Sequence, residues 1–308
     1  MKLNTLVLKT LPLFPRCSIR LVSGRYIAGD TLEKAISTVK KIGRMGAMAT
    51  LDVLGEFVQE KKEVEEMVLF YRKALEAIEK HKLNSGVSIK LTSFGALIDD
   101  SLCEESVRNL VSMAREMGNF VRIDMENHPF TDLTLRIYKN LRKEFPHNVG
   151  TVVQAYLKRT QDDVSSLLQE GKTDLRLCKG IYVEPPEIAY QEKQKINENY
   201  LKVLEELFSR GAYVAIATHD NALVLGAQHL IEKYGLGPER YEFQMLLGVR
   251  SALAKRILQK GHRLRIYVPF GRDWYPYSMR RLNENPAIVG DLLKGFLPRF
   301  ITREKLPF

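Results

Sequence analysis

Short apolar, β-branched runs alternate with longer amphipathic stretches between about residues 47 and 271 of the chain. Short apolar runs are typical of buried strands, whereas apolar residues spaced three and four apart are typical of helices. Strands separated by single helices pair in parallel through crossover connections. The pattern therefore predicts a closed (β/α)8 barrel, as in TIM barrels, with a doubly wound open sheet as the alternative. The eight predicted strands are 47–55, 87–93, 121–127, 150–156, 175–182, 212–219, 241–248 and 263–271.

A helical segment within residues 1–46 precedes the predicted barrel, which then occupies 47–308. Thr31 follows a Gly-Asp turn and is placed to cap a helix whose apolar face includes Ala35 and Val39. No linker, low-complexity segment or charge block interrupts the chain. We therefore expect residues 1–308 to form a single domain.

The stretch YVPFGRDWYPYSMRRLNE (267–284) predicts a final helix across the barrel mouth. If Asp273 caps this helix, four polar residues share one face at helical spacing. Two adjacent guanidinium groups there would form a pocket for a small anion, because arginine binds carboxylates bidentately. A solvated basic turn, braced by its own glutamate, is the alternative. The four residues are Tyr277, Arg280, Arg281 and Glu284.

The composition is that of an ordinary globular protein, with 45% hydrophobic and 27% charged residues. The net charge of +10 is spread along the chain and not clustered, which argues against a nucleic-acid binder and suits contact with an anionic membrane surface. Three widely spaced cysteines favour a reduced compartment and argue against a structural zinc site. No apolar run reaches the length of a spanning helix, so we expect a soluble or peripherally attached protein.

Polar residues collect at the predicted strand ends, where the active sites of (β/α)8 barrels lie. Each alone has a structural explanation, such as a buried ion pair between Lys90 and Asp124 or a buried core histidine at His219. Polar groups on neighbouring strands that face one rim favour a site instead. These residues are Lys90, Asp124, Glu126, Gln154, Arg176, Lys179, Tyr182, His219, Asp220, Gln244 and Tyr267.

Motifs for several chemistries are absent from the sequence. It contains no GxSxG, HExxH, Walker or GxGxxG motif, and six scattered histidines argue against a catalytic metal. A site rich in Lys, Arg, Gln and Tyr suits a bound cofactor that carries the chemistry. Lys90 or Lys179 as the Schiff-base nucleophile of an aldolase-like barrel remains the alternative.

The ordered motifs TLDVLGE, VSIKL, RIDME, VVQAY, RLCKGIY, ATHD, EFQMLLG and YSMRRLNEN resemble the monofunctional bacterial proline dehydrogenases along essentially the whole chain. The resemblance implies a (β/α)8 flavoenzyme that binds FAD, oxidises L-proline to 1-pyrroline-5-carboxylate and passes electrons to a membrane quinone. It also implies a cytoplasmic protein attached peripherally to the inner face of the cell membrane. A separate pyrroline-5-carboxylate dehydrogenase would take the product.

The same resemblance implies roles for residues on the proline side. Arg280 and Arg281 would bind the carboxylate together with Lys90, and Asp124 would hold Lys90 and its neighbours in place. Glu284 would support the arginine helix, and Glu56 would pair with the first arginine when the site closes. The pyrrolidine ring would be walled by Tyr182, Leu246, Tyr267 and Tyr277.

On the cofactor side, the resemblance implies that Arg176 contacts flavin N5 and Gln154 the isoalloxazine. The phosphate and adenylate part of FAD would lie against Lys179, Gly180, His219 and Asp220. Ile181, Val183 and Asp220 depart from the family pattern, which commonly has alanine, tryptophan and asparagine there. Tyr267 favours proline over hydroxyproline as the substrate, since relatives that prefer hydroxyproline tend to lack it.

Overall fold

Eight parallel strands form a closed barrel in chain order. The computed structural model describes residues 19, 20 and 23–284, with side chains through Met279. The last strand pairs with the first, Tyr267 opposite Thr50, which confirms the barrel and excludes the open sheet. The strands are β1 (Met48–Val53), β2 (Ser85–Ile89), β3 (Val121–Ile123), β4 (Val149–Gln154), β5 (Asp174–Cys178), β6 (Tyr213–Ala217), β7 (Tyr241–Leu246) and β8 (Leu264–Phe270).

Helices surround the barrel and alternate with its strands. The helix predicted after Thr31 is confirmed, and Ala35, Ile36 and Val39 on its inner face are buried. The helices are α1 (Leu32–Arg44), α2 (Lys61–Lys80), α3 (Asp100–Glu116), α4 (Thr131–Glu144), α5 (Thr160–Gln169), α6 (Lys193–Ser209), α7 (Asn221–Lys233), α8 (Ser251–Gln259) and α9 (Trp274–Glu284). Within the described residues, no helix is both long and apolar enough to span a membrane.

The apolar core lies between the strands and the helices. Leu51, Val87 and Ile123 on the strands are fully buried, as are Leu75 and Leu110 on the helices. The alternate strand positions point into the barrel, because successive side chains of a strand face opposite sides. The outward positions therefore build the core, and the inward positions are available for polar groups.

Charged pairs occupy the interior of the barrel near the amino ends of the strands. Arg122 on β3 donates to Asp174 on β5 at 2.5 Å, and Arg265 on β8 donates to Glu242 on β7 at 2.6 Å. Branched apolar side chains usually fill this region of a (β/α)8 barrel. Here, each buried cation has a carboxylate partner, which offsets the cost of removing both from water.

Several strands end earlier than the sequence predicts. β3 ends at Ile123, and Glu126 beyond it accepts hydrogen bonds from the backbone and hydroxyl of Thr92. β5 ends at Cys178, just before Gly180 turns the chain with a φ of +104°. Apolar periodicity could not locate these ends, because apolar residues such as Met125 and Ile181 continue beyond them.

A buried tyrosine on α2 joins two strands to the helix layer. The hydroxyl of Tyr71 donates to the carbonyl of Ser88 at 2.6 Å and accepts from the amide of Val53 at 3.1 Å. Both residues are buried, Val53 at 5% and Ser88 at 0% exposure. The hydroxyl therefore satisfies one donor and one acceptor that would otherwise be unpaired.

We predict that Tyr71→Phe lowers the free energy of unfolding by about 1–3 kcal/mol, because it leaves two buried backbone groups unsatisfied. Urea denaturation followed by circular dichroism would measure the change. Tyr234→Phe is the matched control, since its hydroxyl bonds Glu205 in a partly exposed position, and we expect a loss under about 0.5 kcal/mol. Equal losses in both variants would contradict the prediction.

Candidate active site

A cavity of about 650 Å³ opens at the carboxyl ends of the strands, where the sequence predicts the site. Thirteen residues that the family resemblance implicates have side chains or, for glycine, backbone that the structure fully describes, and all of them line this one cavity. Their convergence on one cavity is a property of the fold. Of the other predicted strand-end residues, Gln244 lines the cavity as well and Glu126 does not. The thirteen are Glu56, Lys90, Asp124, Gln154, Arg176, Lys179, Gly180, Tyr182, His219, Asp220, Leu246, Tyr267 and Tyr277.

The remaining three predicted residues lie on α9. The backbone of Arg280, Arg281 and Glu284 is helical, as the sequence predicts, but their side chains lie outside the described part of the chain. Tyr277 on the same helix is 5% exposed and packs with Ile27 and Leu54. The first part of α9 therefore packs against the rim of the barrel.

Residues on β2, on β7 and just after β3 hold the guanidinium group of Arg176. Its Nε donates to Oε1 of Gln244 at 2.5 Å, Nη1 donates to Oδ1 of Asp124 at 2.5 Å, and Nη2 donates to Oγ of Ser88 at 3.0 Å. Its Cζ also lies 5.3 Å from the centre of the Tyr267 ring. Because each nitrogen has a separate partner, the plane of the group is fixed from several directions.

Lys90 pairs directly with Asp52 and is connected to Asp124 through the Tyr267 hydroxyl. Its Nζ donates to Oδ1 of Asp52 at 2.7 Å and lies 3.9 Å from Glu56, whereas Asp124 binds Arg176 and Tyr267. The barrel register explains the direct Lys90–Asp52 pair, because Asp52 on β1 pairs with Ser88 on β2, two residues before Lys90. Asp124 still acts on Lys90 through the Tyr267 hydroxyl, which Lys90 approaches at 3.4 Å.

The Lys90–Asp52 pair is buried, and its two pKa values show the balance of forces. Burial alone lowers the pKa of Lys90, but the carboxylates of Asp52, Asp124 and Glu56 raise it well above the usual 10.5. Burial raises the pKa of Asp52 to about 6, although Lys90 opposes the shift. Lys90 is therefore a fixed cation at the cavity wall.

The Tyr267 hydroxyl connects the Lys90–Asp52 pair to the Arg176–Asp124 pair. It donates to Oδ2 of Asp124 at 2.7 Å and accepts the longer bond from Lys90. Burial and the negative charges of Asp124 and Asp52 raise the pKa of Tyr267 well above 10. The phenol thus stays protonated and joins Lys90, Asp124 and Arg176 into one network.

A second group of predicted residues follows β5 and β6. Lys179 donates to Oδ2 of Asp220 at 2.8 Å, and the Nε2 atom of His219 accepts from the amide of Leu246 at 2.9 Å. Gly180 has a left-handed φ, and a Cβ at this position would collide with the Tyr156 ring. Only glycine fits this turn, which keeps the backbone at the cavity wall.

One polar atom of the cavity wall is unsatisfied. The Gln154 side chain is 2% exposed, and its Nε2 makes a long bond of 3.4 Å to the Met125 carbonyl. Its Oε1 has no hydrogen-bond partner within the described residues. A buried acceptor without a partner is costly in a native protein and is expected where a ligand donates a hydrogen bond.

Sequence reasoning missed Asp52 and did not give Gln244 a role. Both lie on strands at inward positions, and both contact a predicted site cation directly. Strict alternation in β1, where Thr50 and Asp52 interrupt the apolar residues, is a signal that could have identified Asp52.

The family model for proline dehydrogenase matches residues 35–293. The chain is 38% identical over 292 residues to proline dehydrogenase 1 of Bacillus subtilis strain 168, covering 94% of this chain and 96% of that protein. It is 36% identical over 277 residues to proline dehydrogenase of Deinococcus radiodurans, covering 89% of each.

A solved structure shares the fold. It is that of proline utilization A (PutA) from Bdellovibrio bacteriovorus inactivated by N-propargylglycine, with a TM-score of 0.81 and 26% identity. The match covers 86% of this chain but only 32% of that chain. This chain thus corresponds to about a third of the PutA protein.

The Lys179–Asp220 pair yields a prediction about stability and pH. The hydrogen bond from Lys179 outweighs the effect of burial and holds the pKa of Asp220 at about 2, below the usual 3.8. Because the native pKa is the lower one, the stabilisation is complete above pH ~4 and is lost as the pH falls through 2. We predict that Asp220→Asn lowers the free energy of unfolding by about 1 kcal/mol at pH 7, with the difference vanishing near pH 2.

Denaturation curves from pH 2 to pH 7 would measure this difference. Asparagine can still accept the amide of Ala222 as a helix cap, so the substitution isolates the charge. Glu192→Gln serves as the control, because Glu192 forms an exposed pair with Lys195. A difference at pH 2 as large as that at pH 7 would exclude the charge as its cause.

Proposed function

The chain belongs to the proline dehydrogenase family, and we propose that it oxidises L-proline to 1-pyrroline-5-carboxylate with bound FAD as the electron acceptor. The observation that supports this most is the single cavity shared by every fully described residue that the family resemblance implicates. Its volume, about 650 Å³, lies within the range typical of small-molecule and cofactor sites.

The residues of the cavity fit a flavin nucleotide. Oε1 of Gln154 is a buried acceptor without a partner in the described chain, and a flavin ring carries an N–H that could donate to it. The cations Arg176 and Lys179 suit the negative charge of a reduced flavin and of a pyrophosphate respectively. Because Gly180 has no side chain, the backbone just after β5 is open to the cavity.

The proline carboxylate would be bound by cations at the other side of the cavity. Lys90 has three N–H donors, of which Asp52 and Tyr267 take two, so one remains for a carboxylate oxygen. We propose Arg280 and Arg281 as its partners, with Glu284 bracing their helix and Glu56 closing on the first arginine. Tyr182, Leu246, Tyr267 and Tyr277 would pack against the pyrrolidine ring.

The oxidation removes a hydride from Cδ of proline and a proton from its nitrogen. When bound, FAD supplies the two-electron acceptor for that hydride. Arg176 would stabilise the negative charge that this transfer leaves beside it, since the guanidinium is already fixed by Asp124, Ser88 and Gln244. A proline that enters with a neutral amine needs no protein base at this step.

The pKa of Lys90 argues against a Schiff-base aldolase. A nucleophilic lysine must lose its proton near neutral pH, whereas the surrounding carboxylates raise the pKa of Lys90 well above 10.5. The other candidate, Lys179, donates to Asp220 in a salt bridge. The static binding role is therefore the better explanation for both lysines.

We also propose that the chain acts as one domain over 1–308, in the cytoplasm at the inner face of the cell membrane, and reduces a membrane quinone. The scattered charge of +10 supports contact with anionic lipid. A separate pyrroline-5-carboxylate dehydrogenase would take the product.

Anaerobic titration of the purified protein with L-proline tests the proposal. We expect a yellow protein whose visible flavin absorbance bleaches on addition of proline. A colourless protein that a keto acid and borohydride modify irreversibly would support the aldolase instead.

We predict that Lys90→Met lowers kcat/KM for proline roughly 10- to 150-fold, because it removes one charge-assisted hydrogen bond to the carboxylate. The dissociation constant of FAD should change less than about twofold. Lys179→Met is the matched control and should weaken FAD binding while KM for proline stays nearly constant. Steady-state kinetics and FAD titration of the apoprotein measure these quantities, and an exchange of the two phenotypes would contradict both assignments.

A further inference from the structure

A second cavity lies inside the barrel, at the amino ends of the strands. It has a volume of about 580 Å³, and polar residues such as Arg122, Asp174 and Glu242 line it. Arg176 and Gln244 line both this cavity and the one at the carboxyl ends. These two side chains therefore form a partition across the barrel, joined by the 2.5 Å hydrogen bond between Arg176 Nε and Gln244 Oε1.

The amide of Gln244 can satisfy its surroundings in only one orientation. Arg176 Nε is solely a donor and must face an acceptor, whereas the Glu242 carboxylate is solely an acceptor and must face a donor. Oε1 of Gln244 therefore faces Arg176, and its Nε2 donates to Glu242 Oε1 at 2.6 Å. A reversed amide would place like groups together on both sides.

Glu242 is itself held rigidly and remains charged. Arg265 donates to both of its oxygens, at 2.6 and 3.0 Å, and the Tyr213 hydroxyl donates at 2.9 Å. Burial alone would raise the pKa of Glu242, but Arg265 and these hydrogen bonds lower it to about 2. At neutral pH, Glu242 is therefore ionised and accepts a hydrogen bond from Gln244.

We propose that Gln244, oriented by Glu242, is a positioning residue that fixes Arg176 for its role beside the reacting flavin. The inference rests on the proposed function, since it concerns the cation assigned to the flavin. Asp124 and Ser88 hold the two terminal nitrogens of Arg176. Gln244 holds the third nitrogen, so its loss leaves the guanidinium free to tilt toward the amino-end cavity.

The experiment compares wild type with Gln244→Leu, which keeps the approximate size of the side chain and removes the acceptor. We expect kcat to fall about tenfold, with KM for proline within about twofold of wild type. The ratio of the affinities of the site for reduced and for oxidised flavin should fall by a similar factor. For a two-electron couple, a tenfold fall lowers the reduction potential by about 30 mV. Potentials measured with a dye couple report this independently of turnover.

A second variant and a control separate positioning from stability. Glu242→Gln should reproduce part of the fall in potential, because a glutamine can present its NH2 group to Gln244, and Gln244 would then turn its own NH2 group toward Arg176. Gln228→Leu is the matched control, since Gln228 on α7 is similarly buried and bonds Lys260. It should leave kcat and potential unchanged while lowering thermal stability. If Glu242→Gln does not fold, Gln244→Leu alone decides.

Two different results would overturn the inference. A wild-type protein that binds no flavin overturns the proposed function and the inference together. A flavin-binding wild type whose Gln244→Leu variant shows the same potential and kcat as Gln228→Leu overturns the inference alone.

Discussion

Pairing of charge inside the barrel is the constraint on which the rest of the structure depends. Arg122, Arg265, Arg176 and Lys90 all point inward, and each bonds a carboxylate directly, from Asp174, Glu242, Asp124 and Asp52 respectively. Leaving one member of such a pair alone typically costs ~3–5 kcal/mol. Each charged group is therefore held in place by its partner. At the cavity wall, the carboxylates of neighbouring strands determine where the cations lie.

The barrel itself follows from patterning that is visible in the chain. Outward positions are apolar and β-branched, so periodicity locates β4, β7 and β8 to within a residue or two. The ends of β3 and β5 depend on side-chain bonds and on the turn at Gly180, which periodicity does not encode. The register between neighbouring strands is set by the closed sheet and cannot be obtained from periodicity either. This register places Asp52 beside Lys90.

The cavity could be predicted as a set of residues but not as a set of contacts. Strand-end chemistry and the family resemblance both identify Lys90, Arg176 and Tyr267. Neither indicates that Arg176 has three protein partners, because two of these, Ser88 and Gln244, are neutral residues within strands. A neutral side chain is inconspicuous in a sequence, yet it determines where a charged neighbour can lie.

Closure of the sheet between β1 and β8 also has a consequence for how the protein is made. Arg265 bonds the carbonyl of Ala49, 216 residues earlier in the chain, so the barrel stays open until almost all of it has left the ribosome. During that interval, its inner surface faces water. A nascent barrel lined with apolar side chains would expose a surface prone to aggregation, whereas one lined with paired charges remains hydrated. A polar interior therefore leaves less apolar surface exposed on the unfinished barrel.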